Sequence, residues 1–528
     1  MSGNGGCRAV SIRIKRYVLL PLIMLALMAA CVGLSRVWTS GPTNASENHR
    51  PHISIMANLH TAEVPSDTIE KIIEERTGTQ LSIQWVPDGS YDEKVYASIA
   101  TGTLPKVLYL KNAASLSYFK DEIRSGLFWE IGPYLDSYPN LSALKPEVLK
   151  NTSVDGKLYS LYQERALSRQ GIIYRKDWAD RLGLSAPGTL EELYEMLKRF
   201  TYDDPDGNGL DDTIGLTDRN DLIYGAFKTI SSYFGTPNNW GWYQDSLQPE
   251  FRFPKYMETM KFFRKLHEEG LINRDFPITS KKDQQELFIT GKAGVYVGAM
   301  SDVLSLEAKL KANDPDAVLD VHNRVRGPNG YGVWATQGYG TVVLFPKSAI
   351  PTEAELKEVL AFYNELMSAE LANYMYWGIE GEHYTVQDGK AMAVDSYNLR
   401  EKDVKPYQAL MIGGSSTIDG MLQPVNKNEA KDKAERLILD NENFLINDPT
   451  VPLESVRYNE IGVRLEESMR DATYQFILGM IDEAGYEAQV ERWLEEGGEE
   501  IIREFNESYR SSTPLYNSIP QYNHENYR

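Results

Sequence analysis

Five residues between positions 204 and 212 have the spacing that oxygen-seeking cations require. In Asp204-x-Asp206-x-Asn208-Gly209-x-x-Asp212 the acidic and amide side chains recur at alternate positions, and Gly209 permits the sharp turn between them. The backbone carbonyl of Leu210 completes a ligand set read as Asp204, Asp206, Asn208, Leu210 and Asp212. Gly215 stands where a full calcium loop carries its bidentate Glu. A plain Asp-Pro-Asp-Gly turn after a helix would use the same residues; the spacing favours calcium, in a structural role. A second chemistry resides in the aromatics, since sugars offer flat C–H faces to rings and hydroxyls to polar groups. Asn238-Asn239-Trp240-Gly241-Trp242-Tyr243 and Gly330-Tyr331-Gly332-Val333-Trp334 set rings among small neighbours. Trp240, Trp242, Tyr331 and Trp334 are therefore candidate sugar contacts, with ordinary core packing as the competing use.

Catalytic signatures are missing. There is no Gly-x-Ser-x-Gly elbow, no phosphate-binding loop, and His267-Glu268-Glu269 lacks the second histidine of a zinc-protease helix. The two cysteines, Cys7 and Cys31, both precede the body of the chain, which excludes a disulfide, a thiolate nucleophile or a cysteine metal site there. A glycosidase needs only two carboxylates and stays open as an alternative. With 55 basic against 75 acidic residues the net charge is -20, which disfavours nucleic acid as a partner.

These groups must be positioned by elements that the hydrophobic pattern outlines. Basic Arg8, Arg13, Lys15 and Arg16 precede an apolar run ending in Leu27-Met28-Ala29-Ala30-Cys31, which resembles the bacterial lipobox and makes Cys31 the lipidation candidate. The run is also nearly long enough for an uncleaved membrane anchor. Either way the remainder lies outside the cytoplasmic membrane, after a Ser/Asn/Thr/Gly linker. From His52 the pattern reads strand (52–57), helix (67–76), strand (81–86), helix (93–101), strand (106–110), the signature of an open α/β sheet. Helical spacing recurs at 190–200, 255–269, 353–367 and 473–505, with a break near Gly485 and a polar tail from Ser511.

Ile172-Ile173-Tyr174-Arg175-Lys176-Asp177-Trp178, Thr189-Leu190-Glu191-Glu192-Leu193, Gly270-Leu271-Ile272, Phe288–Gly294 and Gly378–Tyr384 occur in this order. The set resembles family 1 extracellular solute-binding proteins of carbohydrate ABC importers, in particular the LplA-type lipoproteins. The resemblance implies a two-lobe periplasmic-binding-protein-like α/β fold with hinge-crossing strands, a helix-rich C-terminal lobe and a ligand taken by hinge closure. Candidate crossings are Gly171–Arg175 and Gly340–Phe345. The implied organisation is 1–38 export signal or anchor, 39–50 linker, 51–170 and 293–345 lobe 1, 171–292 and 346–510 lobe 2 with return helices, and 511–528 tail. It also implies a carbohydrate ligand, ABC permease subunits as partners, a monomer, and no catalysis; a ligand-presenting sensor partner would use the same site. Alginate-binding relatives carry calcium in a loop like 204–212. On the family geometry Arg165 lies near the cleft, and Trp377, Glu382 and Tyr384 join the ligand candidates. An acidic saccharide would need local compensation of the negative body, for which Arg165 and Arg169 are available.

Overall fold

The computed structural model describes residues 50–394 and 397–516. Contacts divide the chain into Met1–Arg50 and Pro51–Arg528. Cys31, the export segment and nearly all of the linker lie outside the described residues, as does the tail beyond Tyr516.

In chain order the principal strands are β1 (His52–Leu59), β2 (Gln80–Pro87), β3 (Val107–Leu110), β4 (Ser160–Glu164), β5 (Gln170–Arg175), β6 (Ile214–Thr217), β7 (Ala293–Ala299), β8 (Leu319–His322) and β9 (Tyr339–Leu344). They form a five-stranded sheet of order β2-β1-β3-β9-β4 and a four-stranded sheet of order β8-β5-β7-β6. In the first, β1 runs parallel to β2 and β3, and β9 is antiparallel to both of its neighbours. In the second, β5 is antiparallel to β7 and β8, while β6 and β7 are parallel.

Residue choice follows position. Central β1 and β5 are apolar on both faces because both are covered, whereas edge strand β2 alternates, burying Leu81 and Val86. The helices over the first sheet, Thr68–Thr77 and Tyr91–Thr101, stop at Gly78 (φ 65°) and Gly102 (φ 68°), where the left-handed conformation favours glycine.

Each hydrophobic core is assembled from separated stretches of sequence. Residues from Ile53 to Leu167 share a core with residues from Tyr339 to Met421. Residues from Ile172 to Val325 share two adjoining cores with residues from Ala434 to Phe505. This differs from the expected division. The resemblance puts the stretch 293–345 in lobe 1, yet β7 is an inner strand of the second sheet, and only from Tyr339 does the chain rejoin the first core. Likewise helices Glu353–Leu366 and Ala369–Tyr376 cover the first core rather than the second. Both β7 and β9 are short apolar runs, so their period carries no information about which sheet accepts them.

The hinge expectation is corrected too. Gly171–Arg175 and Gly340–Phe345 are sheet interior, and the chain crosses at 165–169 and 335–338. The two crossings are joined by Arg165 N–H to the Gly338 carbonyl (2.9 Å) and Thr336 N–H to the Leu167 carbonyl (2.7 Å). A third segment lies beside them, with Val333 and Ala335 donating to the carbonyls of Phe444 and Ile446 at 3.0 Å each. Two buried amides staple the three. Asn441 Nδ2 donates to the carbonyls of Ser168 (3.0 Å) and Gln170 (2.9 Å). Asn238 Nδ2 donates to those of Ala335 (2.8 Å) and Ile446 (3.0 Å).

The C-terminal helices are Val456–Ile477, Glu483–Trp493 and Glu499–Tyr516. The break expected near Gly485 lies at 478–482, where Asp482 caps the second helix by accepting from Gly485 N–H at 2.8 Å. Helix also continues past Ser511, where a loose tail was expected.

Candidate ligand cleft

In open α/β sheets ligands gather at the carboxyl ends of parallel strands. Here β4 leaves its carboxyl end and after five residues enters β5, so the crossings lie against the carboxyl ends of β1, β2, β3 and β4 in one sheet and of β6, β7 and β8 in the other. The first rim carries His60, Asp88, Lys111 and Arg165. Asn58 Nδ2 donates to Asp88 Oδ1 (3.0 Å), and Lys111 Nζ reaches the Asp88 carbonyl (3.0 Å) and Asp92 Oδ2 (3.0 Å). Desolvation and the nearby Lys405 charge hold the His60 imidazole below its ordinary pKa. Along β4, Gln163 and Arg165 share a face; Gln163 accepts from Thr341 Oγ1 (3.4 Å) and donates to the Gln408 carbonyl (2.8 Å). A Cβ on Gly340 would lie 2.5 Å from Arg165 Nε, so the absent side chain leaves room for the guanidinium against β9. Arg165 and Arg169 are both exposed, and neither guanidinium makes an ion pair or hydrogen bond among the described residues.

The second rim is the loop after β6. Asp218, fully buried, caps the helix Ala226–Phe234 by accepting from Ala226 N–H at 2.9 Å. Burial pushes its carboxyl up to about 7. Asp221 Oδ1 accepts from Ile223 (3.1 Å) and Tyr224 (2.9 Å), a turn that leaves both side chains exposed. The Tyr224 ring meets Trp334 edge-on at 5.7 Å, and Trp334 Nε1 donates to Thr229 Oγ1 at 3.0 Å.

The expected ligand residues fall into separate groups. Arg165, Trp334 and Tyr331 belong to the crossings; Tyr331 is exposed beside Phe444, with the Arg324 guanidinium 5.4 Å from its ring. Trp334 is buried, presenting Tyr224 rather than its own face. Trp377 and Tyr384 pack together at 6.1 Å in a small cluster with Ala391, and Glu382 is exposed nearby. Trp240 is only 6% exposed, edge-on to Phe505, so it is core. Trp242 is 41% exposed and lies edge-on against Tyr509 of the last helix. Gly241 had suggested freely presented rings; the hairpin Trp240–Pro249 instead gives one face to the core. Residues not foreseen are His60, Asp88, Lys111 and the 218–224 loop. Their signal was positional, each being the first polar group after a strand.

A family model described as bacterial extracellular solute-binding protein matches residues 62–372. The chain belongs to that family. The polygalacturonan/rhamnogalacturonan-binding protein YtcQ of Bacillus subtilis is 40% identical over 504 residues, covering 94% of this chain and 99% of YtcQ. Lipoprotein LipO of the same organism is 34% identical over 508 residues, covering 94% and 99%. Among solved structures, the HMO-binding, ABC-transporter-associated solute-binding protein of Bifidobacterium longum infantis superposes with TM-score 0.66 at 18% identity, covering 88% of this chain and 99% of that one. An EF-hand mutant of the substrate-binding protein FusA of Streptococcus pneumoniae gives TM-score 0.54 at 18% identity, covering 88% and 99%. These likenesses place the molecule among two-lobe solute-binding proteins. No described helix is long and apolar enough to cross a membrane.

Within this solute-binding fold the 204–212 loop is folded around Asn208. Asp204 accepts from the N–H groups of Asn208 and Gly209 (3.0 Å each). Asn208 Nδ2 sits between Asp206 Oδ2 (2.8 Å) and Asp212 Oδ1 (3.2 Å). Burial and the carboxylates of Asp204 and Asp212 raise the Asp206 pKa, whereas Lys292, 2.6 Å from Asp212, lowers that of Asp212. The amide and Lys292 thus hold the places where positive charge is wanted. Among the described residues no three His, Cys, Asp or Glu side chains converge closely enough to hold a metal.

Proposed function

We propose that this chain captures a uronate-bearing oligosaccharide outside the cytoplasmic membrane and delivers it to the membrane subunits of an ABC importer. The observation that carries the reading is the pair Arg165 and Arg169. They are exposed at the first crossing and unpaired among the described residues, in a chain whose net charge is -20. A planar guanidinium with free donors matches a carboxylate bidentately, and carboxylates are what a polygalacturonan-derived fragment repeats. The name of YtcQ agrees with that chemistry. The rim of the second lobe adds Tyr224 for a ring face. Binding proceeds without bond cleavage, with closure about 165–169 and 335–338.

Cys31 is the lipid-attachment site of this reading, in keeping with the lipoprotein name of LipO. The reading also makes the Asp204–Asp212 loop a structural calcium site that forms by rearrangement, because as it stands its side chains bond the Asn208 amide and Lys292 instead of converging on one point. Asp204, Asp206, Asn208, Asp212 and the Leu210 carbonyl would hold the ion, and rotation of the Asn208 amide would turn its oxygen inward. The EF-hand named for the FusA neighbour supports the assignment.

The test is calorimetric titration with trigalacturonate and with a neutral trisaccharide. Wild type should bind the acidic sugar, and Arg165→Gln with Arg169→Gln should weaken it by tenfold or more, a loss expected for charge-assisted hydrogen bonds. Equal affinity for both sugars, or accumulation of shortened product, would sink the proposal.

A further inference from the structure

Besides the crossings, the two lobes meet through charged side chains. Glu454 of the second lobe is held by Lys120 and Arg124 of the first, with Arg124 Nη2 3.6 Å from Glu454 Oε1. Each partner is fixed to its own lobe. Phe119 and Ile123, the neighbours of Lys120 and Arg124, are buried in the first core, and Arg124 grips Asp155 through Nε (2.9 Å) and Nη2 (3.0 Å). Leu453 is buried in the second core, and Glu454 N–H donates to Ser508 Oγ of the last helix at 3.0 Å. The Lys120 and Glu454 side chains are only 15% and 28% exposed, so solvent and salt screen their attraction less than that of a surface pair. A second contact lies beside the crossing, where Lys145 Nζ is 2.6 Å from Glu442 and 3.1 Å from Glu164.

The junction at Glu454 stands apart from the ligand edge of the first sheet. That edge is made by the carboxyl ends of β1, β2 and β3, where His60, Asp88 and Lys111 lie. Arg124 leads instead to Leu127, whose carbonyl accepts from Lys347 N–H (2.9 Å) beyond the carboxyl end of antiparallel β9. Asp155, the partner of Arg124, precedes β4, and the first residue of β4, Ser160, pairs with Leu344 at that same opposite end. In the order β2-β1-β3-β9-β4 the chain crosses from β4 and returns into β9, so Asp155 belongs to the hinge side of the sheet. Rotation about the crossings narrows one side of the hinge and widens the other.

We infer that Glu454, with Lys120 and Arg124, is a latch that holds the lobes apart: the three are joined in the arrangement described and separate as the cleft rims approach. The inference rests on the hinge closure of the reading above and not on the identity of the sugar. Closure then has to break an ion pair that re-forms on opening, which lowers the closed fraction and favours release to the importer.

The test is the distance between spin labels on the two rims, at Ala62→Cys and Ile223→Cys, both exposed positions, measured by double electron–electron resonance. The full chain is used with Cys7→Ser and Cys31→Ser, which removes its two native thiols. Without sugar, Glu454→Gln should raise the short-distance population by about threefold or more. Lys120→Gln with Arg124→Gln should do the same and add nothing to Glu454→Gln. Salt raised from about 0.05 to about 1 M should shift the Glu454 protein in the same direction and leave Glu454→Gln nearly unmoved. Distances that stay the same or lengthen in Glu454→Gln overturn the latch. In unlabelled protein the affinity for trigalacturonate should rise by the same factor. If the chain does not bind trigalacturonate, the acidic-sugar reading fails while the label distances still decide the latch.

Discussion

Replacing Asn441 by Ala isolates the stapling of the crossings. The side chain is fully buried, and its Nδ2 donates to the carbonyls of Ser168 at 3.0 Å and Gln170 at 2.9 Å, while its Oδ1 accepts from Asn323 at 3.0 Å. Asn323 Nδ2 keeps Leu437 and Asp440 as acceptors, so its loss is partial. The two carbonyls lose a donor in the interior, and an unsatisfied buried group costs about 1–3 kcal/mol. The sum is about 4 kcal/mol. Unfolding entropy of about 2.1 cal/mol/K per residue makes a chain of this size lose about one degree per kcal/mol, so calorimetry should show Tm lower by about 4 °C. Asn443→Ala is the control, because Asn443 is exposed and its amide serves only Asp440 (3.0 and 3.1 Å). It should move Tm by about 1 °C or less. Equal shifts for the two variants would refute the claim that the crossings are held from the third segment.

Two further outcomes follow from buried and clustered carboxylates. Asp218 is raised from 3.8 to about 7 in the folded state, so the folded form binds the extra proton and stability falls as pH rises from about 4 to about 7. The displacement corresponds to about 4 kcal/mol, and Asp218→Asn should flatten the melting profile between pH 5 and 8 without losing the Ala226 cap; an unchanged slope removes Asp218 as its source. Adding calcium should raise Tm and a chelator should reverse it, whereas in Asp206→Asn the response should shrink severalfold. Melts indifferent to both would leave the loop an ordinary turn.

The legible parts of the fold were those written locally. The alternation from His52 to Leu110 gave three strands and two helices to within a few residues, because period and glycine caps are both nearest-neighbour signals. The placement of β7 and β9 was not legible, since their partners lie far away in sequence and any covered sheet accepts a short apolar run. Site residues divide the same way. The family resemblance puts Arg165 only near the cleft and names other residues as crossings, while Trp240 looks free because Gly241 stands beside it, and only the packing of Phe505 against its ring makes it core.

The insertion of β9 between β3 and β4 has a consequence for biogenesis. Residues 52–164 contain four of the five strands of the first sheet, but the strand that joins them begins at Tyr339. A chain emerging amino end first across a membrane must therefore wait, with a gap in the middle of that sheet, until some 175 further residues have followed. Open strand edges of this kind invite pairing with other chains, and such distant closure is slow. The same delay keeps the precursor threadable: the first lobe cannot close early and jam the exit path, and it completes its sheet only after much of the second lobe has already come through.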